Sequence, residues 1–240
     1  MKRTTQAVIC VLVVLLPCAA PQGLTWSRVQ TSDTSQPAAR GGFAFGYDGI
    51  GNKLVIFGGF TADGVANDTW IFDIPSGNWS EVQLMQAPSA RALAYYGVVR
   101  VPGPRSLFVV ALGLRSVTTE FDDVWVFDFT TMQWSRIDPQ GDGPGARYGG
   151  HFGAAYGDTN TLWVGSGFTE TTPLQTRYID TYKLTFTSAT EATWERVYPQ
   201  PSIGNQFMPL SPHGRCLQTS TVIANAGLVM AGGCMRYAEK

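Results

Sequence analysis

Apolar residues in this chain come in short runs cut by turn residues. Lys53 to Phe60 is almost continuously apolar through Leu54, Val55, Ile56 and Phe57, the pattern of a strand buried on both faces. Before it, Arg40 to Tyr47 is an extended, aromatic-bearing run ending at Asp48-Gly49. After it, Thr69 to Ile74 is β-branched and aromatic, Pro75-Ser-Gly-Asn78 is a turn, and Trp79-Ser-Glu-Val82 alternates apolar and polar. Four strands, three short links and a longer exit predict one four-stranded antiparallel blade.

The same order of residues then returns. The first copy has Arg40, Gly58-Gly59, Asp68-Thr-Trp70-Ile-Phe72-Asp73 and Trp79. The second has Arg91, Gly113-Leu114, Asp123-Val-Trp125-Val-Phe127-Asp128 and Trp134. A looser third has Arg147, Ser166-Gly167, Asp180-Thr-Tyr182-Lys-Leu184 and Trp194, and a fourth begins at Arg215 and reaches Gly232-Gly233. A period of about 50 residues reads as propeller blades, so the expected class is all-β. The small-residue pair lets a neighbouring backbone or ring approach where a Cβ would clash. The lone tryptophans are apolar plates able to fill the wedge between blades. The aspartates stand at strand ends, where they can bond turn amides.

This pattern resembles the kelch repeat over roughly residues 24–240. Trp70 to Trp79 and Trp125 to Trp134 share a spacing of nine, and each first aromatic lies twelve residues after Gly58 or Gly113. Leu114 departs from the motif at the second glycine, Ser166 at the first, and Tyr182 replaces Trp. The resemblance implies a β-propeller of four-stranded blades over residues 23–240, with repeats at approximately 40–84, 91–137, 147–197 and 215–240. Leu24-Thr-Trp26-Ser-Arg-Val29 matches the outermost strands that begin at Trp79, Trp134 and Trp194. In kelch propellers such a strand typically completes the last blade. One stray strand, three full blades and half of a fourth predict an incomplete ring from a truncated product or fragment; a compact four-bladed ring is the alternative.

Residues 1–22 read as a secretory signal peptide. Lys2-Arg3 supply positive charge, Ala7 to Leu16 are apolar, and Ala19-Ala20 follow Pro17. An uncleaved anchor is the competing reading, and no other segment approaches membrane-spanning length. Localisation is therefore expected to be secreted or cell-surface. The formal net charge of −1 becomes about −3 once Lys2 and Arg3 are removed, and no Lys/Arg run exists, which argues against a nucleic-acid partner.

Cys216 and Cys234 flank two predicted strands, Leu217 to Ala224 and Leu228 to Gly232. Folding that hairpin about residue 225 sets them opposite one another, within disulfide reach in an oxidising compartment. Two independent thiols remain the alternative, since the register can slip by one. Asn67-Asp-Thr69 and Asn78-Trp-Ser80 are glycosylation sequons at predicted loop positions.

Strand direction sorts the links onto two faces. Gln83 to Ala90, Asp138 to Ala146 and Tyr198 to Gly214 share one face with Phe60 to Asn67, Leu114 to Asp122 and Phe168 to Arg177. These long links are the expected binding face, for a protein or glycan ligand. Arg40, Arg91, Arg147 and Arg215 begin the innermost strands there and are candidates to ring the channel mouth and meet a carboxylate. Because they recur in every repeat, the favoured reading is structural, with the arginines bonding carbonyls or Asp side chains to hold blades together.

The resemblance also brings enzymes into view. Secreted copper oxidases of this fold, similar to galactose oxidase, need two His, two Tyr and a Cys; here the only histidines are His151 and His213, without metal-ligand spacing. Plant kelch proteins of glucosinolate breakdown use an iron site of Glu, Asp and His at four-residue spacing, which Glu120-Phe-Asp122-Asp123 lacks. No nucleophile elbow or phosphate loop is present, and Gly141-Asp-Gly-Pro-Gly145 is a turn cluster. The reading is a binding module with no catalysis, metal or cofactor of its own. The alternatives are an oxidase-like fragment and, should the leader be misread, a ubiquitin-ligase adaptor.

Overall fold

The computed structural model describes residues 35–116, 118–154, 160–170, 176–198, 219–223 and 227–231. In the first repeat, β1 (Ala44–Asp48), β2 (Lys53–Thr61), β3 (Gly64–Asp73) and β4 (Asn78–Glu81) form a four-stranded antiparallel sheet in chain order. The second repeat contains β5 (Tyr95–Val101), β6 (Arg105–Ala111), a small hairpin of β7 (Leu114–Ser116) and β8 (Thr119–Glu120), then β9 (Val124–Asp128) and β10 (Gln133–Ile137). Its main sheet runs β5-β6-β9-β10. The third contains β11 (His151–Ala154), β12 (Thr161–Gly165), a hairpin of β13 (Phe168–Thr169) and β14 (Thr176–Arg177), then β15 (Thr181–Phe186) and β16 (Ala192–Tyr198). Its main sheet runs β11-β12-β15-β16. Finally β17 (Thr219–Ile223) pairs with β18 (Gly227–Ala231).

The innermost strands lie side by side in the order β1, β5, β11, β17. The architecture is therefore a propeller of antiparallel blades, with the sheets of the described residues not closed into a ring. The first strand starts at Ala44 rather than at Arg40, because Gly42 takes a positive φ that interrupts the extended run. Both sequons lie in strands rather than loops: Asn67 is inside β3 and Asn78 opens β4.

Two apolar clusters fill the spaces between blades. One joins Val55, Phe57 and Ile71 of the first blade to Phe108, Val110, Phe127 and Trp134 of the second. The other joins Val99, Leu107 and Val109 of the second to Leu162, Leu184 and Trp194 of the third. Trp134 is 1% exposed, stands 5.0 Å from the Phe57 ring, and donates its indole N–H to Thr69 Oγ1 at 2.9 Å. Its equivalent Trp79 packs on Phe72 at 5.1 Å and stays half-buried.

Candidate functional site

The small-residue pairs show how one blade is joined to the next. Gly59 N donates to Arg91 O, and Gly113 N donates to Arg147 O, each at 2.9 Å. A Cβ on Gly59 would lie 2.8 Å from Gly41 O, and one on Gly113 would lie 3.0 Å from Ala92 O. These glycines have φ of +96° and +97°, and Gly167 has +89°, backbone that L side chains rarely adopt. The position just before each is also left-handed: Gly58 at 65°, Leu112 at 58° and Ser166 at 54°. The structural pairs are thus Gly58-Gly59, Leu112-Gly113 and Ser166-Gly167. Assigning Gly113-Leu114 by its distance to Trp125 is off by one, because the segment from Gly113 to Asp123 is one residue longer than that from Gly59 to Asp68. The first position tolerates Leu or Ser; the second holds glycine in all three blades.

The recurring arginines reach the Asp-x-aromatic motif of their own blade. Arg40 binds Asp68 through two bonds, Nη1–Oδ1 at 2.6 Å and Nη2–Oδ2 at 2.7 Å. Arg91 binds Asp123 in the same way at 2.6 and 3.0 Å. Arg147 binds Asp180 at 2.5 and 3.4 Å. Each aspartate also accepts from the aromatic two residues on: Trp70 Nε1 at 2.7 Å, Trp125 Nε1 at 2.8 Å and Tyr182 Oη at 3.1 Å. The Asp-x-aromatic spacing therefore makes one carboxylate the shared acceptor of a guanidinium and a ring donor. Further bonds run to carbonyls: Arg40 to Ala38 and Gly58, Arg91 to Ser89 and Leu112, and Arg147 to Pro144. Phe121 and Tyr178, two residues before the aspartates, stack on Arg91 at 4.1 Å and on Arg147 at 3.7 Å.

Arg91 and Arg147 are buried, at 1% and 2% exposure, and the Arg40 side chain is 4% exposed. Their guanidinium groups sit inside the blades, bonded to carboxylates and carbonyls. Burial would push the Asp68 and Asp123 carboxyls up. The hydrogen bonds from Arg40 and Trp70, and from Arg91 and Trp125, with the arginine charges, outweigh it and hold both below the ordinary value. Burial pushes the Tyr96 hydroxyl up to about 12. Arg215, His213, Cys216 and Cys234 lie outside the described residues; His151 opens β11.

Several of the long links make contacts of their own among the described residues. Gly143 of the turn cluster packs on Trp194, where an added Cβ would meet the indole nitrogen at 2.9 Å. Gln140 pairs in parallel with Thr193, accepting from Trp194 N and donating its own N–H to Ala192 O, so this link covers the edge of β16. Gln86 in the preceding link does similar work through its side chain, donating to Trp134 O at 3.0 Å. Glu120 of the second blade accepts from Glu170 N at 2.7 Å and from Thr169 Oγ1, which joins two neighbouring hairpins. Between these anchors, Met85, Arg115, Ser116, Thr118 and Asp122 are exposed. None of the inter-hairpin or link-to-edge contacts is legible in the repeat itself, since each differs from blade to blade.

Residues 12–233 match the family described as the KLHDC2/KLHL20/DRC7 Kelch-repeats domain. The chain belongs to the kelch-repeat family. Kelch domains mediate protein interactions. Acyl-CoA-binding domain-containing protein 4 of Arabidopsis thaliana is 34% identical over 148 residues, 61% of this chain and 21% of that protein. Acyl-CoA-binding domain-containing protein 5 of the same plant is 29% identical over 210 residues, 87% of this chain and 29% of that protein. An N-(sulfonatooxy)prop-2-enimidothioate sulfolyase of Thlaspi arvense is 28% identical over 192 residues, 76% of this chain and 50% of the enzyme. The kelch chain thus spans half or less of the length of these relatives. The solved structure of YjhT superposes with a TM-score of 0.56 over 81% of this chain and 59% of that one; at 19% identity it supports the fold alone.

Proposed function

We propose that this kelch chain is a secreted or cell-surface binding module that takes a protein or glycan ligand on its loop-rich face and performs no catalysis of its own. Residues 1–22 serve as the leader, residues 23–240 form the propeller, and Cys216–Cys234 is a disulfide. The observation that carries the reading is the division of labour between the two kinds of recurring and non-recurring residue. Arg40, Arg91 and Arg147 are bonded within the blades to Asp68, Asp123 and Asp180, while the links that differ between blades expose Met85, Arg115, Thr118 and Asp122. Variable side chains on a rigid repeat scaffold are where such a fold can carry specificity. The test has two parts. Surface-displayed extracellular proteins and a glycan array are screened with the full chain, and hits are repeated with Arg115→Glu and with Arg100→Glu on the opposite face. Loss with the first and retention with the second support the reading; the reverse contradicts it. Stoichiometric copper or iron in the purified chain at neutral pH contradicts a purely binding role.

A further inference from the structure

The two sequons sit in different surroundings. In the β2–β3 ladder Ala66 faces Gly59 and Thr69 faces Phe57, so Asn67 and Asp68 together oppose Gly58. This is a bulge, two residues against one, and it separates the two side chains. Asp68 is drawn onto Arg40, and Asn67 is left exposed. Thr69 is 0% exposed and its hydroxyl accepts the Trp134 indole. The hydroxyl that the sequon needs is thus reachable only before the second blade closes over it, whereas the asparagine stays in solvent afterwards. Asn78 differs: it is half-buried, pairs with Asp73 across a tight turn, and precedes Trp79, which packs on Phe72. A bulky substituent there has to share space with that packing.

We propose that Asn67 carries an N-linked glycan and that Asn78 does not; this rests on the reading of residues 1–22 as a secretory leader. In the transfer, Asn67 Nδ2 bonds to the anomeric carbon of a lipid-diphosphate-linked oligosaccharide. The carbon–oxygen bond to the diphosphate breaks, the diphosphate leaves with the electron pair, and Nδ2 gives up one proton. The glycan then stands beside the Arg40–Asp68 pair on the loop-rich face. It shades the first blade and leaves ligand access to the second and third.

The test is to express the full chain in secreting eukaryotic cells and treat it with peptide N-glycosidase in heavy-oxygen water. Each asparagine that carried a glycan becomes a labelled aspartate, which peptide mass spectrometry locates. The expected result is label at residue 67 and none at residue 78, with Asn67→Gln shifting the protein by the mass of one glycan and Asn78→Gln leaving it unchanged. A secreted chain with bare Asn67, or with a glycan on Asn78, overturns the inference and leaves the leader reading standing. A chain kept inside the cell with residues 1–22 intact overturns both.

Discussion

Arg91 joins two blades at once: its carbonyl accepts from Gly59 N of the first blade at 2.9 Å, and its guanidinium holds Asp123 of the second through two bonds. Arg147 repeats this between the second and third blades, through Gly113 N and Asp180. Each guanidinium is removed from water, bonded to a carboxylate and to one or more carbonyls, and stacked on an aromatic ring, which offsets the cost of burying the charge, although Arg147 Nε has no hydrogen-bond partner among the described residues. The arginine, the glycine pair and the Asp-x-aromatic are therefore parts of one joint, although they are far apart in sequence.

The glycine pairs yield opposite outcomes at their two positions. Ser166 holds φ of 54° without glycine, so Ser166→Gly relieves left-handed strain and is expected to add about 1 kcal/mol. Gly113→Ala is expected to lose more than that, because φ is +97° and Ala94 Cα lies 3.0 Å from the new Cβ. Urea midpoints of the two variants check both signs.

Trp134 supplies both packing and a donor. Trp134→Phe leaves the fully buried Thr69 hydroxyl without its indole partner, a loss of about 1–3 kcal/mol. Trp79→Phe, at a half-buried ring, costs clearly less. Equal losses in thermal unfolding would show that the first-to-second blade interface is not what Trp134 stabilises.

Asp68 and Asp123 make the fold sensitive to acid. Their folded pKa values lie below the ordinary 3.8, so the unfolded chain takes up these protons first as pH falls. The stabilisation is fully present above the unfolded value and is lost as pH drops through the folded ones. Unfolding free energy measured from pH 6 down to pH 2 is expected to fall below about pH 4. Asp123→Asn, already weakened at neutral pH, falls less over the same interval.

The hairpin register pairs Thr219 with Ala231 and Ile223 with Gly227, the register required by the proposed Cys216–Cys234 bond. Peptide mapping without reductant is expected to recover the two cysteines in one linked peptide pair. Two separately alkylated cysteines would refute the bond.

Much of the blade is visible in sequence, because a buried strand such as Lys53 to Phe60 has to be apolar and a turn such as Pro75 to Asn78 has to be punctuated. The tryptophans are legible for the same reason: a large plate repeated once per blade belongs between blades. The partner of each arginine is harder to see. Arg and Asp lie 28, 32 and 33 residues apart in the three blades, since the intervening hairpins differ in length. The aromatics that cover Arg91 and Arg147 are Phe121 and Tyr178, but the first blade has Ala66 at that place, so no rule emerges from one copy. The extra residue before Asp123 also shifts the true small-residue pair to Leu112-Gly113, which only the backbone conformation reveals. Contacts of the links, such as Gln140 with Thr193 or Glu120 with Thr169, depend on unrepeated residues and carry no periodic signal.

The most direct test of the arginines as blade joints is a double-mutant cycle on Arg91 and Asp123, read by denaturant unfolding. Asp123→Leu strands the buried Arg91 guanidinium and is expected to cost about 3–5 kcal/mol, Arg91→Met strands the part-buried Asp123 carboxylate and is expected to cost less, and the double variant recovers a large part of the summed loss. Single variants that leave stability unchanged, with no coupling between them, would contradict the account and return these arginines to the role of ligand contacts.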